Sequence, residues 1–235
     1  MITGIVVALP EELTTLTSKR IDKGHCVFIA DKLLVAYSGT GAKNAAIATE
    51  LLISKGATQL VSWGCAAALS PTLKPGDLVL ADTLIDVDDA AIAVNPHWHN
   101  YAKHLLSPFI KVKTGKLTES LSIVSSSREK QQLQLITEAI ALDMESIAIA
   151  KAAEKKALPF LAIRVIIDPA DMDLPRAISY AANSEGDIVL SRLLLFLALH
   201  PNELFGLIRL GFYFNAAKST LKRIAKQLNA LADFK

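Results

Sequence analysis

Phe160-Leu161-Ala162-Ile163-Arg164-Val165-Ile166-Ile167, followed directly by Asp168, is the stretch of the sequence that decides the fold. Eight residues that are apolar except for Arg164 are typical of a strand buried on both faces of a sheet. Such sheets carry helices on both sides. Asp168 either caps a turn before Pro169 or is held at the strand end for chemistry, and the strand pattern alone leaves both interpretations open.

Strand and helix patterns alternate outward from this stretch. Short apolar runs predict strands at residues 5–9, 26–30, 33–37, 59–63, 77–81 and 139–142. Apolar residues at helical spacing predict helices at residues 43–54, 127–136 and 145–155. We therefore expect an α/β fold, a three-layer α/β/α sandwich around a mixed, mainly parallel sheet.

Only helical patterns follow Asp187. They cover residues 188–199, 204–210 and 216–231 and predict a C-terminal helical tail over residues 187–235. The tail is expected to belong to the same domain as the sheet, so that residues 1–235 form one domain, because single α/β domains commonly reach this length.

Composition and charge exclude several classes of function. The chain has 25 Lys and Arg against 23 Asp and Glu, a net charge of +2 that is too weak for nucleic-acid binding. Cys26 and Cys65 lie far apart, which predicts neither a zinc site nor a disulfide framework. The N-terminal residues lack a basic leader, and the longest apolar run, Leu193 to Leu199, is too short to span a bilayer. We expect a cytoplasmic protein.

Acidic and glycine-rich segments fall where the predicted strands end, which is where open α/β sheets bind ligands. These segments are Glu11-Glu12, Ser38 to Gly41, Gly64 to Ala68, Asp143 to Glu145, and Asp168 to Asp171. Glu145 alone is also explained as an acidic residue in the first turn of a helix, where it favours the helix dipole.

Taken in order, these segments resemble the superfamily of purine nucleoside phosphorylases, uridine phosphorylases and methylthioadenosine/S-adenosylhomocysteine nucleosidases. Trp63 to Leu69 with Leu73 to Asp77, and Arg164 to Asp171, carry the resemblance together with Glu11-Glu12, Ser38 to Gly41 and Asp143 to Ser146. The second half is similar to one branch, the hopanoid-associated phosphorylases that act on adenosylhopane. Leu158 to Arg164, Asp168 to Asp171 with Leu174-Pro175, and the tail with Pro201 and Leu204 carry that closer similarity.

The resemblance implies that the chain cleaves the N-glycosidic bond of a purine nucleoside. Asp168 would protonate the purine at N7, and the apolar residues before it would raise its pKa as that role requires. Glu145 would accept hydrogen bonds from the ribose hydroxyls, in its ionised form, and Met144 would pack against the sugar. The same resemblance places further residues beside the substrate, namely Cys65, Ala66, Ile123 and Val124, although an ordinary strand explains Ile123 and Val124 equally well.

The attacking group is water or phosphate. Nucleosidases of the superfamily use a glutamate at the position of Glu12 to activate water, whereas phosphorylases use arginines that residues 11–17 and 64–70 lack. The absence favours hydrolysis. Backbone N–H groups at Gly39, Thr40 and Gly41 could still hold the water or a phosphate co-substrate, so phosphorolysis stays open. Two departures predict an altered pocket, Ile167 where a serine is usual and Ala67-Ala68 where glycines are usual.

No metal and no organic cofactor is expected. Pro96 to His99 with His104 is interpreted as a histidine-bearing loop and helix start, because no acidic or cysteine cluster accompanies it. The substrate is expected to be an adenine nucleoside, with adenosylhopane of hopanoid biosynthesis as the one that the closer similarity implies. The alternatives are a methylthioadenosine/S-adenosylhomocysteine-type nucleosidase, or a non-catalytic nucleoside-binding module, which the alanines at 66–68 favour.

The apolar side chains of the tail leave a further choice. Residues 193–196 and 205–214 would contact a lipid-tailed substrate or a membrane surface, or they would form an interface between copies of the chain. We favour the interface and expect a homodimer or a higher homo-oligomer.

Overall fold

The computed structural model describes residues 1–183 and 187–234. Its strands are β1 Thr3–Val7, β2 His25–Ala30, β3 Leu33–Tyr37, β4 Gln59–Ala68, β5 Leu78–Ile85, β6 Ala91–Ala93, β7 Val112–Glu119, β8 Ala141–Asp143 and β9 Phe160–Asp168. Its helices are α1 Pro10–Leu13, α2 Ala42–Ser54, α3 Pro96–Leu106, α4 Ser127–Thr137, α5 Ser146–Lys155, α6 Arg176–Ala181, α7 Leu190–Leu199, α8 Glu203–Ala225 and α9 Leu228–Ala232.

These strands form one mixed sheet in the order β2-β3-β1-β4-β8-β7-β5-β6, and β9 pairs with both β4 and β5. The pairings of β4, β8, β7, β5 and β9 therefore close into a ring. Ala67 near the end of β4 lies opposite Leu142 of β8 on one side and Asp168 of β9 on the other. This register brings the acidic segments after β8 and at the end of β9 to the same edge of the sheet.

Two apolar cores lie on opposite faces of the sheet, as a three-layer sandwich requires. Val6 of β1 packs with α2 and α5 on one face, whereas Ile5 and Val7 pack with α3, α8 and α9 on the other. The alternation follows from the two-residue period of a strand. The expected α/β/α fold is confirmed.

Most predicted elements are present within a few residues, but β4 is longer than predicted. Gly64 to Ala68 were expected to follow a strand, and they instead continue it, because Gly64 to Ala66 pair residue by residue with Arg164 to Ile166 of β9. Strands β6 and β7 and helices α1 and α6 were not predicted. The lysine-bearing sequence of β7, Val112–Glu119, alternates too weakly to indicate a strand.

The tail differs from its prediction in two respects. The helices expected at 204–210 and 216–231 are one continuous helix, α8, followed by the short α9, because Gly211 is tolerated inside a helix. The tail also completes the second core, where Leu221 and Ile224 are buried and the Trp98 indole N–H donates to the Leu231 carbonyl at 3.1 Å. Lys235, the last residue of the predicted tail, lies outside the described residues. Within residues 1–183 and 187–234, no helix is both long and apolar enough to cross a membrane.

The burial of one face of helix α8 in the second core can be tested directly. Leu221 is fully buried, whereas Lys222, the next residue of the same helix, is exposed. Leu221→Ala should lower the free energy of unfolding by ~2–5 kcal/mol because it leaves a cavity in the second core. Lys222→Ala should change it by less than ~0.5 kcal/mol. Urea unfolding followed by circular dichroism measures both, and equal effects would contradict the burial of one helix face.

Candidate active site

Arg164 lies at the centre of a group of buried polar side chains, and it is itself 2% exposed. Its Nε lies 2.5 Å from Asp143 Oδ2, and its Nη2 lies 3.8 Å from Glu145 Oε2. Nη2 also donates to the Ser62 hydroxyl at 2.6 Å. A buried guanidinium must be paired, so this arrangement explains why a charged residue interrupts the apolar strand β9.

Glu12 enters the site from α1, two residues after Pro10, and is 2% exposed. Its Oε1 accepts a hydrogen bond from the Cys65 N–H at 2.7 Å, and its Oε2 accepts one from the Leu9 N–H at 3.0 Å. Burial raises the pKa of Glu12, and the nearby charge of Arg164 partly opposes that shift. Burial and the adjacent Glu12 raise the pKa of the Cys65 thiol well above its usual value, so Cys65 stays protonated.

Glu145 occupies the cap position before α5 and is 7% exposed. Its Oε1 accepts a hydrogen bond from the Gly41 N–H at 2.8 Å, at the start of α2. Gly41 has φ +89°, a conformation that favours glycine. The glycine therefore lets the backbone adopt the turn in which this N–H meets Glu145. Burial raises the pKa of Glu145 to about 7, against the opposing charge of Arg164. Glu145 is therefore only partly ionised at neutral pH.

Asp168 ends β9 and is 3% exposed. Its Oδ1 accepts a hydrogen bond from Lys130 Nζ at 2.7 Å. Burial raises the pKa of Asp168 to about 6, and Lys130 opposes the shift. The surroundings therefore raise the pKa of this carboxyl group, in the direction that the apolar sequence of β9 indicates.

Lys130 is the residue of this region that the sequence analysis missed. It lies on α4 and is fully buried. A signal was available, because Lys130 lies on the same helical face as the apolar Leu133, three residues later. A lysine on the inner face of a helix needs a buried partner, and only the fold shows which one it has.

A cavity of about 260 Å³ lies between these side chains. Nine of the residues predicted for the site line this cavity, namely Glu12, Thr40, Cys65, Ala66, Ile123, Val124, Met144, Glu145 and Asp168. Gly39 and Gly41 do not line it, although the Gly41 N–H reaches it indirectly by bonding Glu145. Leu174, Ile178 and Ile188 give the cavity an apolar wall that no prediction included, and Leu210, from the segment 205–214 that was a candidate contact of a lipid-tailed substrate, completes it.

Ile123 and Val124 lie in the irregular segment between β7 and α4. The alternative that they form an ordinary strand is therefore wrong. Ser120 ends the pairing of this region by donating its N–H to the Asp143 carbonyl at 2.8 Å, and the chain then turns over the cavity.

The histidine-bearing segment begins α3 as predicted, since Pro96 is its first residue. His99 is buried, and its ring Nε2 lies 3.2 Å from the Leu80 carbonyl oxygen. In the part of the chain that the structure describes, no three side chains of His, Cys, Asp or Glu are grouped as metal ligands.

The chemical character of the cavity follows from its lining. Glu12, Asp143, Glu145 and Asp168 line it, while its described lining residues include no lysine, arginine or histidine. The N–H groups of Gly41 and Cys65, which could have held an anion, already donate to Glu145 and Glu12. Such a site suits a ligand that is neutral or that becomes positively charged during a reaction, and it suits acid–base chemistry.

The fold and the site together define a class of protein, an α/β sandwich that holds a small molecule among carboxyl groups at the ends of its strands. Comparison with known families then identifies the family. The model of the family described as "Phosphorylase superfamily" matches residues 3–194, and the chain belongs to that superfamily.

Individual relatives agree with this assignment. The chain is 30% identical, over 219 residues, to the 5'-methylthioadenosine/S-adenosylhomocysteine nucleosidase of Staphylococcus epidermidis, covering 79% of this chain and 96% of the relative. The nucleosidase of the same name from Staphylococcus aureus is 28% identical over 72% of this chain and 86% of its own.

Solved structures show the same fold. The corresponding nucleosidase of Helicobacter pylori superposes with a TM-score of 0.73 at 21% identity, covering 98% of this chain and 97% of that chain. Futalosine hydrolase of Helicobacter pylori superposes with a TM-score of 0.72, also at 21% identity and with the same coverage of both chains.

Gly64 tests whether the packing of Glu12 against Arg164 is tight. A Cβ added at Gly64 would lie 2.5 Å from Glu12 Oε1 and 2.6 Å from Arg164 Nη1, and both groups are held by other bonds. Gly64→Ala should therefore lower the free energy of unfolding by ~1–3 kcal/mol. Gly211→Ala is the control, because its Cβ would meet nothing within 4 Å, and it should raise stability by ~0.5–1 kcal/mol. A Gly64→Ala protein as stable as the original in urea unfolding would show that the two side chains can separate freely.

Proposed function

We propose that the protein hydrolyses the N-glycosidic bond of an adenine nucleoside that carries a substituent at its 5′ position. The observation that supports this proposal is the gathering of Glu12, Glu145 and Asp168, from distant parts of the chain, around one cavity. Cleavage of such a bond requires an acid for the departing base and negative charge beside the ribose, which becomes cationic as the bond breaks.

Asp168 is the proposed acid. It protonates the purine at N7, so that the base leaves as a neutral molecule instead of an anion. A carboxyl group with a pKa of about 6 holds a proton in an appreciable fraction of molecules near neutral pH, whereas an ordinary aspartic acid does not.

Glu145 and Met144 are the proposed ribose contacts. The Glu145 Oε1 atom is fixed by the Gly41 N–H, and Oε2 remains to accept a ribose hydroxyl. In its ionised form the carboxylate also favours the positive charge that develops on the sugar. Met144 lines the same cavity and supplies an apolar surface for the ring. Cys65, Ala66, Ile123 and Val124 are the proposed neighbours of the base.

Glu12 is the proposed base that activates water. An incoming phosphate would meet the buried carboxyl groups of Glu12 and Glu145 with no cationic side chain among the described residues of the cavity wall. Part of the expected backbone cradle is also occupied, since Gly41 N–H bonds Glu145. Thr40 lines the cavity and is a proposed contact of the water, and its hydroxyl donates to Asp187 Oδ1 at 2.6 Å.

The nature of the 5′ substituent separates two candidate substrates. The curated relatives are called methylthioadenosine/S-adenosylhomocysteine nucleosidases, which favours a thioether at this position. The second candidate is adenosylhopane, and one observation favours it. The apolar cavity wall includes Ile188 and Leu210, and it adjoins α7 and α8, whose exposed side chains include Leu194, Phe205 and Phe212. The same face is our proposed interface between copies of the chain.

Incubation with substrates in ¹⁸O-labelled water tests the reaction and the acceptor together. We expect adenine release from methylthioadenosine without phosphate, and one ¹⁸O atom in the released sugar, because water attacks the anomeric carbon. Adenosine and an adenosyl-lipid are compared in parallel, and faster release from the lipid would favour the second substrate. Glu12→Gln should lower kcat by ~10²–10⁴-fold. Glu11→Gln removes the adjacent exposed carboxylate and should leave kcat unchanged.

Two results would contradict the proposal. Release that requires phosphate and yields a sugar 1-phosphate would make the protein a phosphorylase. Binding of nucleosides without release of adenine from any of them would instead support a non-catalytic binding module.

The dependence of kcat/KM on pH gives a second test. Asp168 must be protonated, so activity is lost as pH rises through its pKa of about 6. Glu145 and the base Glu12 must be ionised, so activity is lost as pH falls through the pKa of Glu145, about 7, and through the raised pKa of Glu12. The profile should be a narrow bell with its maximum between these values. Asp168→Asn should remove the alkaline limb and lower the maximum by ~10²–10⁴-fold. The exposed Asp171→Asn should keep both limbs, and an alkaline limb that survives in Asp168→Asn would assign the acid to another group.

A further inference from the structure

Lys130 is a buried lysine to which the proposed reaction assigns no role. Its side chain is 0% exposed. Its ammonium group donates to three oxygen atoms, namely Asp168 Oδ1 at 2.7 Å, the Met172 carbonyl at 2.8 Å and the Pro169 carbonyl at 2.9 Å. A lysine ammonium has three N–H bonds, so each finds an acceptor.

This arrangement fixes the group in space. Lys130 comes from α4, whereas its three acceptors lie at the end of β9 and in the segment that follows it. Two of the acceptors are neutral carbonyls, and Asp168 is the one that carries charge. A buried cation is costly unless it is paired and hydrogen-bonded, so the three contacts hold the ammonium group against one particular carboxylate oxygen.

The two carboxyl oxygen atoms of Asp168 are therefore not equivalent. Oδ1 accepts an N–H from a cation, so a proton on Oδ1 would point at another donor. A proton bound to Asp168 is therefore restricted to Oδ2. The side chain also lines the cavity, so the direction in which the proton can be delivered is set before a ligand enters.

We propose that Lys130 is a positioning residue that holds Asp168 by Oδ1, confines its transferable proton to Oδ2 and returns the carboxylate to an ion pair after the proton has left. The proposal rests on the proposed role of Asp168 as the acid. The step balances without another reactant, since the proton moves from Oδ2 to the purine nitrogen and the resulting carboxylate is neutralised by the ammonium group already beside it.

The charged groups around Asp168 make the effect of Lys130 predictable. Lys130 from α4 lowers the pKa of Asp168, whereas burial and the negative charge of Asp173, in the segment after β9, raise it. Asp173 Oδ1 is itself held by the Ser127 N–H at 2.7 Å. Arg164, the preceding ionisable residue on β9, is paired with Asp143. Removal of the Lys130 charge should therefore raise the pKa of Asp168.

Carboxyl ¹³C NMR tests this without any need for catalysis. The Asp168 signal is assigned by its absence in Asp168→Asn. Its pKa is then measured in the original protein and in Lys130→Met, whose side chain is nearly as long as that of lysine but carries no charge. We expect an increase of ~1–3 units. Arg128→Met removes an exposed positive charge from the same helix and should leave the pKa unchanged. An unchanged pKa in Lys130→Met would overturn the proposal.

Kinetics then separate positioning from a merely structural role. In Lys130→Met the alkaline limb of kcat/KM should move to higher pH, and kcat should fall by ~10²-fold because the acid is no longer held in place. Lost activity with an unmoved limb would indicate damage to the structure and would overturn the proposal. If the original protein releases no adenine, the proposed function fails, while the NMR titration still decides the role of Lys130.

Two further measurements cover a variant that does not fold. Lys130→Gln is neutral but keeps a hydrogen-bond donor, and it should show the same rise in the pKa of Asp168. In the original protein, the ¹⁵N signal of Lys130 Nζ should titrate with the midpoint of the Asp168 carboxyl and lose that transition in Asp168→Asn. A Nζ signal that is indifferent to Asp168 would contradict the proposed contact.

Discussion

Arg164 places a positive charge inside the sheet, and the buried acids of the site depend on it. Burial alone would raise the pKa values of Glu12 and Glu145, and the guanidinium opposes that shift for both. It also pairs with Asp143 and is held by the Ser62 hydroxyl. Because a buried ion without partners is strongly destabilising, the strand can carry this arginine only if the carboxylates lie around it, and the carboxylates can approach one another only if the arginine lies between them.

Asp168 belongs to a second, separate charge pair. It lies four residues after Arg164 on the same strand, a distance of ~13 Å along an extended chain. Its cation is Lys130 of α4, whereas the cation of the first group is Arg164 of β9. Lys130 lowers the pKa of the proposed acid Asp168, and Arg164 lowers that of the proposed ribose ligand Glu145. The two pKa values therefore depend on different cations. With pKa values of about 6 for Asp168 and about 7 for Glu145, the form that the proposed reaction needs, protonated Asp168 with ionised Glu145, is the less populated of the two singly protonated forms.

The sequence predicts the layers of the fold and nine of the residues that line the cavity. Two-residue alternation and helical spacing locate the strands and helices around the sheet, and the acidic segments at strand ends, together with the resemblance to a known superfamily, indicate those nine residues. Pairing partners are not local. The extension of β4 through Ala68 depends on its register with β9, and the contact of Lys130 with Asp168 spans 38 positions of the chain. Neither feature has a periodicity that could reveal it.

The backbone N–H groups of Gly41 and Cys65 show how the same local geometry can favour opposite ligands. Unoccupied N–H groups at strand ends attract anions, so a glycine-rich segment such as residues 39–41 favours a phosphate cradle when its N–H groups have no other acceptor. Here each group donates to a carboxylate of the protein itself, Glu145 or Glu12. An anion would have to displace that carboxylate and then remain beside its charge. A water molecule would meet no such repulsion and could give its proton to the carboxylate, so these internal hydrogen bonds favour the neutral nucleophile of the proposed reaction.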